Sequence, residues 1–203
     1  MDCISVGRMG QIITPITKNF FRITEVFPDA LLHRLQSTFC YVKDWSREPN
    51  IQGTRLASSS IDYPFTMELQ DSLDPVKKFI ESNIGKKTYW NGPVLWHDES
   101  RYLNAIHKDQ SENVAVNVQV YLNNGDDVQG TFFENDGEWY SVPYECNTGY
   151  IMFWPTKHDH GMKHASNTYR QSFYQSLRVT EEMADWETYD YYDSEGNVKK
   201  KYK

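Results

Sequence analysis

Residues 114–123 read V-A-V-N-V-Q-V-Y-L-N, an alternation that predicts a long β-strand. Successive side chains of a β-strand point to opposite faces, so the four alternating valines share one face. The opposite face carries Ala115, Asn117, Gln119 and Tyr121. A strand with one apolar row and one largely polar row belongs to a sheet that packs on a core and lines a cavity.

The segments around this strand predict a mostly β protein with supporting helices. Turn-separated strands are expected at 88–97, 102–107, 131–134, 138–145 and 149–154, with 161–165 and 169–179 as a closing pair. Helical spacing of apolar residues predicts helices from Phe27 to Cys40 and from Asp74 to Asn83, the second ending at Gly85. Residues 1–25 predict a first strand, and the polar, aperiodic residues 44–64 predict a loop. The pattern indicates a double-sheet jelly roll of cupin-like type, preceded by N-terminal helices.

Length and composition predict a single domain over residues 1–203, with helical support at about 26–85 and the jelly-roll core at about 87–180. The tail, 185–203, is aromatic and then basic, and either a hairpin or a flexible segment fits it. The net charge of −7 gives no basic footprint for nucleic acid. No apolar run approaches ~18 residues, which argues against a membrane span and a secretory signal. Cys3, Cys40 and Cys146 suggest reduced thiols in a cytoplasmic protein.

Two motifs supply metal-ligating side chains. In I-H-K-D (106–109), His107 and Asp109 are two residues apart and point the same way on an extended segment. H-D-H-G (158–161) adds a second imidazole, from His158 or His160. Two histidines and one carboxylate on one face, with open positions opposite, are typical of non-haem Fe(II) sites. Zinc is the rival metal, with His97 or His158 as a fourth ligand.

Arg170 and Ser172 stand in alternating register ten and twelve residues after His160. A guanidinium fork grips a carboxylate at two points, so Arg170 is a candidate for binding an anionic ligand. A structural ion pair with one of the 28 acidic residues is the alternative.

The ordered series H-x-D, H and R-x-S resembles that of 2-oxoglutarate- and Fe(II)-dependent dioxygenases, most closely the prolyl 4-hydroxylase-like branch. The resemblance covers about residues 90–180 and includes Y-L-N (121–123), Q-G-T-F-F (129–133) and G-Y-I-M-F-W-P (149–155). It implies a double-stranded β-helix fold. It also implies Fe(II) bound by His107, Asp109 and His160, because the family places its distal histidine about ten residues before the arginine.

The resemblance further implies that Tyr121, Arg170 and Ser172 hold the distal carboxylate of 2-oxoglutarate. O2 would be the second co-substrate, with ascorbate as a possible reductant. Asn117 shares the Tyr121 face and is a further candidate for this pocket. The aromatic side chains near the predicted mouth of the barrel are substrate-pocket candidates: Trp96, His97 and Tyr102.

The implied activity couples oxidative decarboxylation of 2-oxoglutarate to hydroxylation of a C–H bond in a prolyl, peptide or amino-acid substrate. Oxidative demethylation of nucleobases is the enzymatic alternative, and the net negative charge weighs against it. A jelly-roll module that binds a ligand without turnover is the non-enzymatic alternative.

Overall fold

The structure, a computed structural model, describes residues 10–48, 53–110, 114–125 and 130–179, with the backbone of 4–5, 191–192 and 198–199. The helices are α1 (Asp29–Thr38), α2 (Tyr63–Ser72) and α3 (Asp74–Ile84). The strands before the metal-ligand motifs are β1 (Ile4–Ser5), β2 (Ile12–Pro15), β3 (Phe20–Thr24), β4 (Ser46–Arg47), β5 (Arg55–Ser58), β6 (Thr88–Trp90) and β7 (Val94–Asp98). Those that follow are β8 (Val116–Tyr121), β9 (Phe132–Asn135), β10 (Glu138–Ser141), β11 (Thr148–Phe153), β12 (His160–Gly161), β13 (Arg170–Val179), β14 (Tyr191–Tyr192) and β15 (Val198–Lys199).

Two antiparallel sheets form the jelly roll that the sequence predicts. The large sheet has the order β1-β2-β3-β11-β8-β13-β7-β5-β4, and β6 pairs with β13. The small sheet has the order β10-β9-β12. An aromatic cluster packs between the sheets, with the rings of Phe20 and Phe133 stacked at a centroid distance of 4.4 Å. The fold is therefore mostly β with supporting helices.

Strand β8 lies at the centre of the large sheet, and its two faces differ as predicted. Val116, Val118 and Val120 are fully buried in the main core. The helices supply the other side of that core through Leu32, Leu35, Leu69, Val76 and Ile80. Asn117 and Gln119 point to the other face, are also buried, and line a cavity between the sheets. The valine row thus attaches the sheet to the helices and leaves its polar row free to build a site.

Helices α1 and α3 confirm the two predicted helices. Pro75 occupies the first turn of α3, where a missing N–H costs no hydrogen bond. Gly85 ends α3 in the left-handed conformation with a φ of 72°. Helix α2, which the sequence analysis does not predict, begins after Asp62, whose carboxylate accepts a hydrogen bond from the Phe65 N–H at 2.8 Å.

The loop predicted over 44–64 is wrong, because β4 and β5 extend the large sheet there. These strands are short, and a buried ion pair places a charged residue, Arg55, at an inward position. The apolar alternation that marks a strand is therefore missing. The predicted closing pair is also wrong, since β12 pairs with β9 while β13 pairs with β6, β7 and β8.

The remaining predictions concern the first strands, the tail, the cysteines and a membrane span. Residues 88–97 form two strands, β6 and β7, and residues 1–25 form three. The paired backbone of β14 and β15 matches the hairpin alternative for the tail, most of which lies outside the described residues. Cys40 and Cys146 are free thiols, and Cys3 lies outside the described residues. Among the described helices, none has the length and apolar character needed to cross a membrane.

Substituting Gly149 with alanine should destabilise the large sheet. Its Cβ would lie 2.0 Å from the Gln119 carbonyl oxygen of β8, a backbone atom that cannot move without disturbing the ladder. Overpacking of this kind costs about 1–3 kcal/mol or more. Urea unfolding should show a lower midpoint for Gly149→Ala. The control is Gly92→Ala, whose Cβ would meet nothing within 4 Å. Equal midpoints for the two variants would contradict the packing described for β8 and β11.

Candidate metal centre and ligand cavity

His107 and His160 are joined through their backbones. The N–H of His107 donates to the carbonyl of His160 at 2.9 Å, and the reverse bond measures 2.8 Å. This isolated antiparallel bridge connects the segment before β8 to strand β12 of the small sheet. The two imidazole rings consequently lie side by side, with centroids 4.5 Å apart. Ligand atoms of His107, His160 and Asp109 all lie within 4.8 Å of one another.

Close approach of the two chain segments requires a small residue after His160. A Cβ on Gly161 would lie 2.7 Å from the backbone oxygen of Ala105. The N–H of Met162 donates to the carbonyl of Asn104 at 2.7 Å and continues the pairing. The backbone path itself therefore brings the H-x-D and H-D-H-G motifs together.

Both histidines present the same nitrogen to the centre. Nδ1 of His107 lies 2.8 Å from the Ala105 carbonyl oxygen, and Nδ1 of His160 lies 3.0 Å from that of His158. A carbonyl accepts only, so each Nδ1 carries a proton, and each Nε2 either donates a second proton toward Asp109 or, when that proton is lost, offers its lone pair to a metal ion. Both Nε2 atoms lie 3.4 Å from Oδ1 of Asp109. Backbone acceptors on the outer nitrogen are how metal-ligating histidines are usually oriented.

The second oxygen of Asp109 is tied to the wall of the large sheet. Nδ2 of Asn117 donates to Oδ2 of Asp109 at 2.7 Å. The hydroxyl of Tyr174 donates to Oδ1 of Asn117 at 2.7 Å, which orients the amide. The ring of Tyr174 stacks on Trp96 at 4.3 Å. Oδ1 of Asp109 is thereby left to face the two Nε2 atoms.

Electrostatics within the triad favour an ionised carboxylate. Burial raises the pKa of the Asp109 carboxyl, but hydrogen bonds from His107, His160 and Asn117 outweigh it and hold that pKa well below its usual range. The hydrogen bond to Asp109 raises the pKa of His107 and exceeds the opposing effect of burial. A cation at this position would replace proton-mediated contacts with direct ligation.

The donor set is one oxygen and two imidazole nitrogens on one side of a cavity, which suits a facial triad. The proposed zinc alternatives lack their fourth ligand in the described part of the chain. His97 packs against Trp45 and Tyr169, away from the triad. The ring of His158 packs edge-on against Phe20 at 5.0 Å and lines a different pocket. His160, and not His158, is the distal histidine that the structure brings to His107 and Asp109.

A cavity of about 330 Å³ opens beside the triad. Of the predicted site residues, its walls contain His107, Asp109, Asn117, His160, Arg170 and Trp96. Further wall residues that sequence analysis did not single out as site residues include Glu48, Arg55, Gln119, Thr131, Tyr150 and Tyr174. Gln119 and Tyr174 share the strand faces of Asn117 and Ser172, so alternation was a usable signal for them. Glu48 and Arg55 gave no such signal, because they lie in the segment predicted as a loop.

Arg170 is 4% exposed and has no carboxylate partner in the described part of the chain. Its guanidinium carbon lies 4.6 Å from the centroid of the Tyr144 ring and 5.7 Å from that of Tyr121. Nη1 contacts the sulfur of Met162 at 2.6 Å, and Nε has no hydrogen-bond partner. Residues 10–48, 53–110, 114–125 and 130–179 thus supply no structural ion pair for Arg170. A buried cation without a counterion is costly, so the cavity favours an anionic ligand at Arg170.

Ser172 and Tyr121 lie behind the cavity wall. The hydroxyl of Ser172 accepts from Nε2 of Gln119 at 2.8 Å. The hydroxyl of Tyr121 accepts from the Thr131 N–H at 3.0 Å and lies 2.9 Å from the Thr131 hydroxyl. Both predicted ligand contacts are thus engaged with residues that themselves line the cavity.

The three predicted substrate-pocket residues are separated by the structure. Trp96 lines the cavity, whereas His97, its neighbour on β7, does not. Tyr102 is fully buried beneath Arg55, whose guanidinium carbon lies 4.5 Å from the ring centroid. Burial raises the pKa of the Tyr102 hydroxyl, for which no described residue supplies a hydrogen-bond partner.

The sequence matches no family model and no curated protein. Its structure, in contrast, is similar to solved structures. A prolyl-4-hydroxylase from Pseudomonas putida aligns with a TM-score of 0.65 at 11% identity, over 80% of this chain and 93% of that one. A Trichoplax adhaerens prolyl hydroxylase in complex with a hypoxia inducible factor peptide fragment aligns with a TM-score of 0.63 at 11% identity, over 83% and 87%. HygX from Streptomyces hygroscopicus, with nickel, 2-oxoglutarate and hygromycin B bound, aligns with a TM-score of 0.62 at 11% identity, over 80% and 84%.

These similarities cover most of each chain, and they confirm the double-stranded β-helix that the motif resemblance implies. The fold is shared with prolyl hydroxylases and with other 2-oxoglutarate-dependent enzymes. At 11% identity, these similarities show a common fold and do not identify a substrate.

Removing the amide that tethers Asp109 should weaken metal binding. Asn117→Ala frees the carboxylate to rotate, and loss of such an outer partner typically costs about 10–100-fold in metal affinity. Calorimetric titration with Co²⁺ or Ni²⁺ should show this loss. The matched control is Asn83→Ala on the exposed surface of α3, where affinity should not change. Unaltered affinity in the Asn117 variant would contradict the role assigned to the tether.

Proposed function

We propose that this chain is a 2-oxoglutarate- and Fe(II)-dependent oxygenase that hydroxylates a C–H bond in an amino-acid or peptide substrate. The observation that carries the proposal is the presence, in one cavity, of a facial His–Asp–His set and a buried arginine that has no counterion among the described residues. The first is suited to Fe(II), and the second to the far carboxylate of a dicarboxylate co-substrate.

In this proposal Nε2 of His107, Nε2 of His160 and Oδ1 of Asp109 are the metal ligands. Arg170 binds the distal carboxylate of 2-oxoglutarate. Tyr121 and Ser172, predicted from the resemblance as direct contacts, act through Thr131 and Gln119, to which their hydroxyls are bonded. Asn117 holds the Asp109 carboxylate rather than the co-substrate.

A bound Fe(II) supplies the O2 chemistry by which 2-oxoglutarate yields succinate and CO2 while one oxygen atom enters the substrate C–H bond. The chain contributes binding, orientation and exclusion of water. Asn117 and the Nδ1 acceptors hold the ligands in place before the metal arrives, and Arg170 sets the direction of the co-substrate. Ascorbate would serve as an external reductant.

The structural relatives support the reaction class more than the substrate. One relative is a prolyl-4-hydroxylase, another holds a peptide fragment, and a third holds hygromycin B beside nickel and 2-oxoglutarate. One scaffold therefore accommodates very different substrates, as expected when specificity resides in the groups that line the entrance.

The experiment that tests the proposed function measures succinate release from 2-oxoglutarate in the presence of Fe(II), ascorbate and O2. A slow turnover without added substrate is expected and should stop when Fe(II) is removed by chelation. A ligand-binding module would bind 2-oxoglutarate and release no succinate, and that result would overturn the enzymatic assignment.

Replacing Arg170 should separate co-substrate binding from metal binding. Arg170→Ala removes charge-assisted hydrogen bonds of about 1.5–3 kcal/mol, so the KM for 2-oxoglutarate should rise about 10–100-fold. Arg170→Lys should recover part of this, because it keeps the charge and loses the fork. Co²⁺ affinity, followed by calorimetry, should be unchanged in both variants. Parallel loss of metal and co-substrate binding in Arg170→Ala would instead identify a structural role.

A further inference from the structure

Glu48 and Arg55 form a cross-strand pair at the edge of the large sheet. Arg47 is paired with Leu56 in the β4–β5 ladder, and the N–H of Glu48 donates to the carbonyl of Arg55 at 3.1 Å. Glu48 therefore lies opposite Arg55, and directly opposite residues in antiparallel strands share a face with Cβ atoms about 5 Å apart. Both side chains line the cavity beside the candidate metal centre.

Arg55 is held rigidly with part of its guanidinium unused. Asp98 accepts hydrogen bonds from Nε at 2.5 Å and from Nη2 at 2.9 Å. The rings of Trp96 and Tyr102 lie 4.1 and 4.5 Å from the guanidinium carbon. Asp98 thus occupies two of the five N–H donors of an arginine. Within the described part of the chain Nη1 has no acceptor, and Arg55 itself is 5% exposed.

Glu48 adds a carboxylate to the same wall of the cavity. In the ranges that the structure describes, its carboxylate forms no hydrogen bond and no ion pair. Arg55 and Asp98 neutralise each other, so Glu48, whose charge acts on Arg55, gives this wall a net negative charge beside the remaining N–H groups of Arg55. The Glu48 carboxylate can therefore accept from a cationic group, and the adjacent N–H groups of Arg55 can donate to an anionic group.

We propose that the substrate is a free α-amino acid, whose carboxylate binds Nη1 of Arg55 and whose ammonium binds Glu48. The ammonium and the carboxylate of an α-amino acid are attached to the same carbon, which suits two side chains about 5 Å apart at their Cβ atoms. The cavity of about 330 Å³ is at the small end of ligand pockets, as expected for a small co-substrate and a small substrate.

A residue inside a peptide chain fits this wall less well. Its amino and carboxyl groups are amides, so binding would cover Glu48 and the open edge of Arg55 without pairing either charge. Covering unpaired charged groups is strongly unfavourable. A ligand with a second carboxylate in place of the ammonium would be repelled by Glu48, and a simple amine would leave Arg55 unsatisfied.

The pair is connected to the metal centre along one wall. Trp96 contacts Arg55 and stacks on Tyr174, whose hydroxyl is bonded to Asn117, the partner of Asp109. An amino acid anchored at Glu48 and Arg55 would extend its side chain along Trp96 toward the triad. Amino acid, O2 and 2-oxoglutarate then yield the hydroxylated amino acid, succinate and CO2, which balances atoms and electrons.

This inference rests on the proposed function, and the experiment separates the two. Succinate release is measured with Fe(II), ascorbate and 2-oxoglutarate alone, then with each standard amino acid and with its N-acetyl and amide derivatives. At least one free amino acid should stimulate release and gain a hydroxyl group by mass spectrometry, while both of its derivatives should not. Background turnover without stimulation by any amino acid would overturn the inference and leave the proposed function standing. Absence of all turnover would overturn both.

The Glu48→Gln variant tests the pair without disturbing the buried Arg55–Asp98 contact. The KM for the stimulating amino acid should rise about 10-fold or more, as expected for loss of a charge-assisted bond of about 1.5–3 kcal/mol. Background turnover and the KM for 2-oxoglutarate are measured in the same variant, and the amino-acid KM should change by more than either of them. Glu99→Gln, an exposed acid outside the cavity, is the matched control. An unchanged amino-acid KM in Glu48→Gln, or stimulation by the N-acetyl derivative equal to that by the free amino acid, would overturn the proposal.

Discussion

The reciprocal backbone hydrogen bonds between His107 and His160 are the interaction on which the candidate site depends. They bring a loop residue and a residue of the small sheet to one point at the edge of the jelly roll. The direction of each ring then follows from a nearby carbonyl, at Ala105 and at His158, which leaves both Nε2 atoms facing Asp109. The backbone thus positions both imidazoles of the candidate metal centre, and the Asn117 amide positions the Asp109 carboxylate.

The two arginines that line the cavity differ in their charge pairing. Arg170 and Asp98 are cross-strand partners on β13 and β7, yet the Asp98 carboxylate is bound by Arg55. Arg170 therefore contacts two aromatic rings and a sulfur atom, and it pairs with no anion in the described part of the chain. A dicarboxylate that reaches from the metal to Arg170 would supply the missing charge. The Arg55–Asp98 pair is neutral in itself, and with the carboxylate of Glu48 beside it this wall suits a ligand that carries both signs.

The sequence predicts the parts of this architecture that depend on local pattern. Alternation in 114–121 gives β8 and its two faces, and helical spacing with Pro75 and Gly85 gives α3. The ten-residue spacing to Arg170, which matches the family that the motifs resemble, also indicates His160, the histidine that lies with His107 and Asp109 in the structure.

Other features depend on contacts between distant segments, which spacing does not encode. Arg55 is buried only because Asp98 on β7 neutralises it, so its short strand resembles a polar loop in sequence. Tyr121 and Ser172 lie on the predicted face, but their hydroxyl groups are already hydrogen-bonded to Thr131 and Gln119. Alternation along β8 predicts that Asn117 faces the cavity, but it does not predict the hydrogen bond from its amide to Asp109.

Anaerobic absorption spectroscopy tests whether Fe(II) and 2-oxoglutarate bind together in the cavity beside His107, Asp109 and His160. Fe(II) is added to the protein without O2, followed by 2-oxoglutarate, and the visible spectrum is recorded at each step. Chelation of Fe(II) through the carboxylate and keto oxygen of 2-oxoglutarate in a site with open positions produces a visible charge-transfer band. We expect this band only when both components are present, and we expect it to be absent from Asp109→Ala. A protein that binds Fe(II) and 2-oxoglutarate without developing the band, or an Asp109→Ala variant that retains it, would show that the two do not meet at this triad.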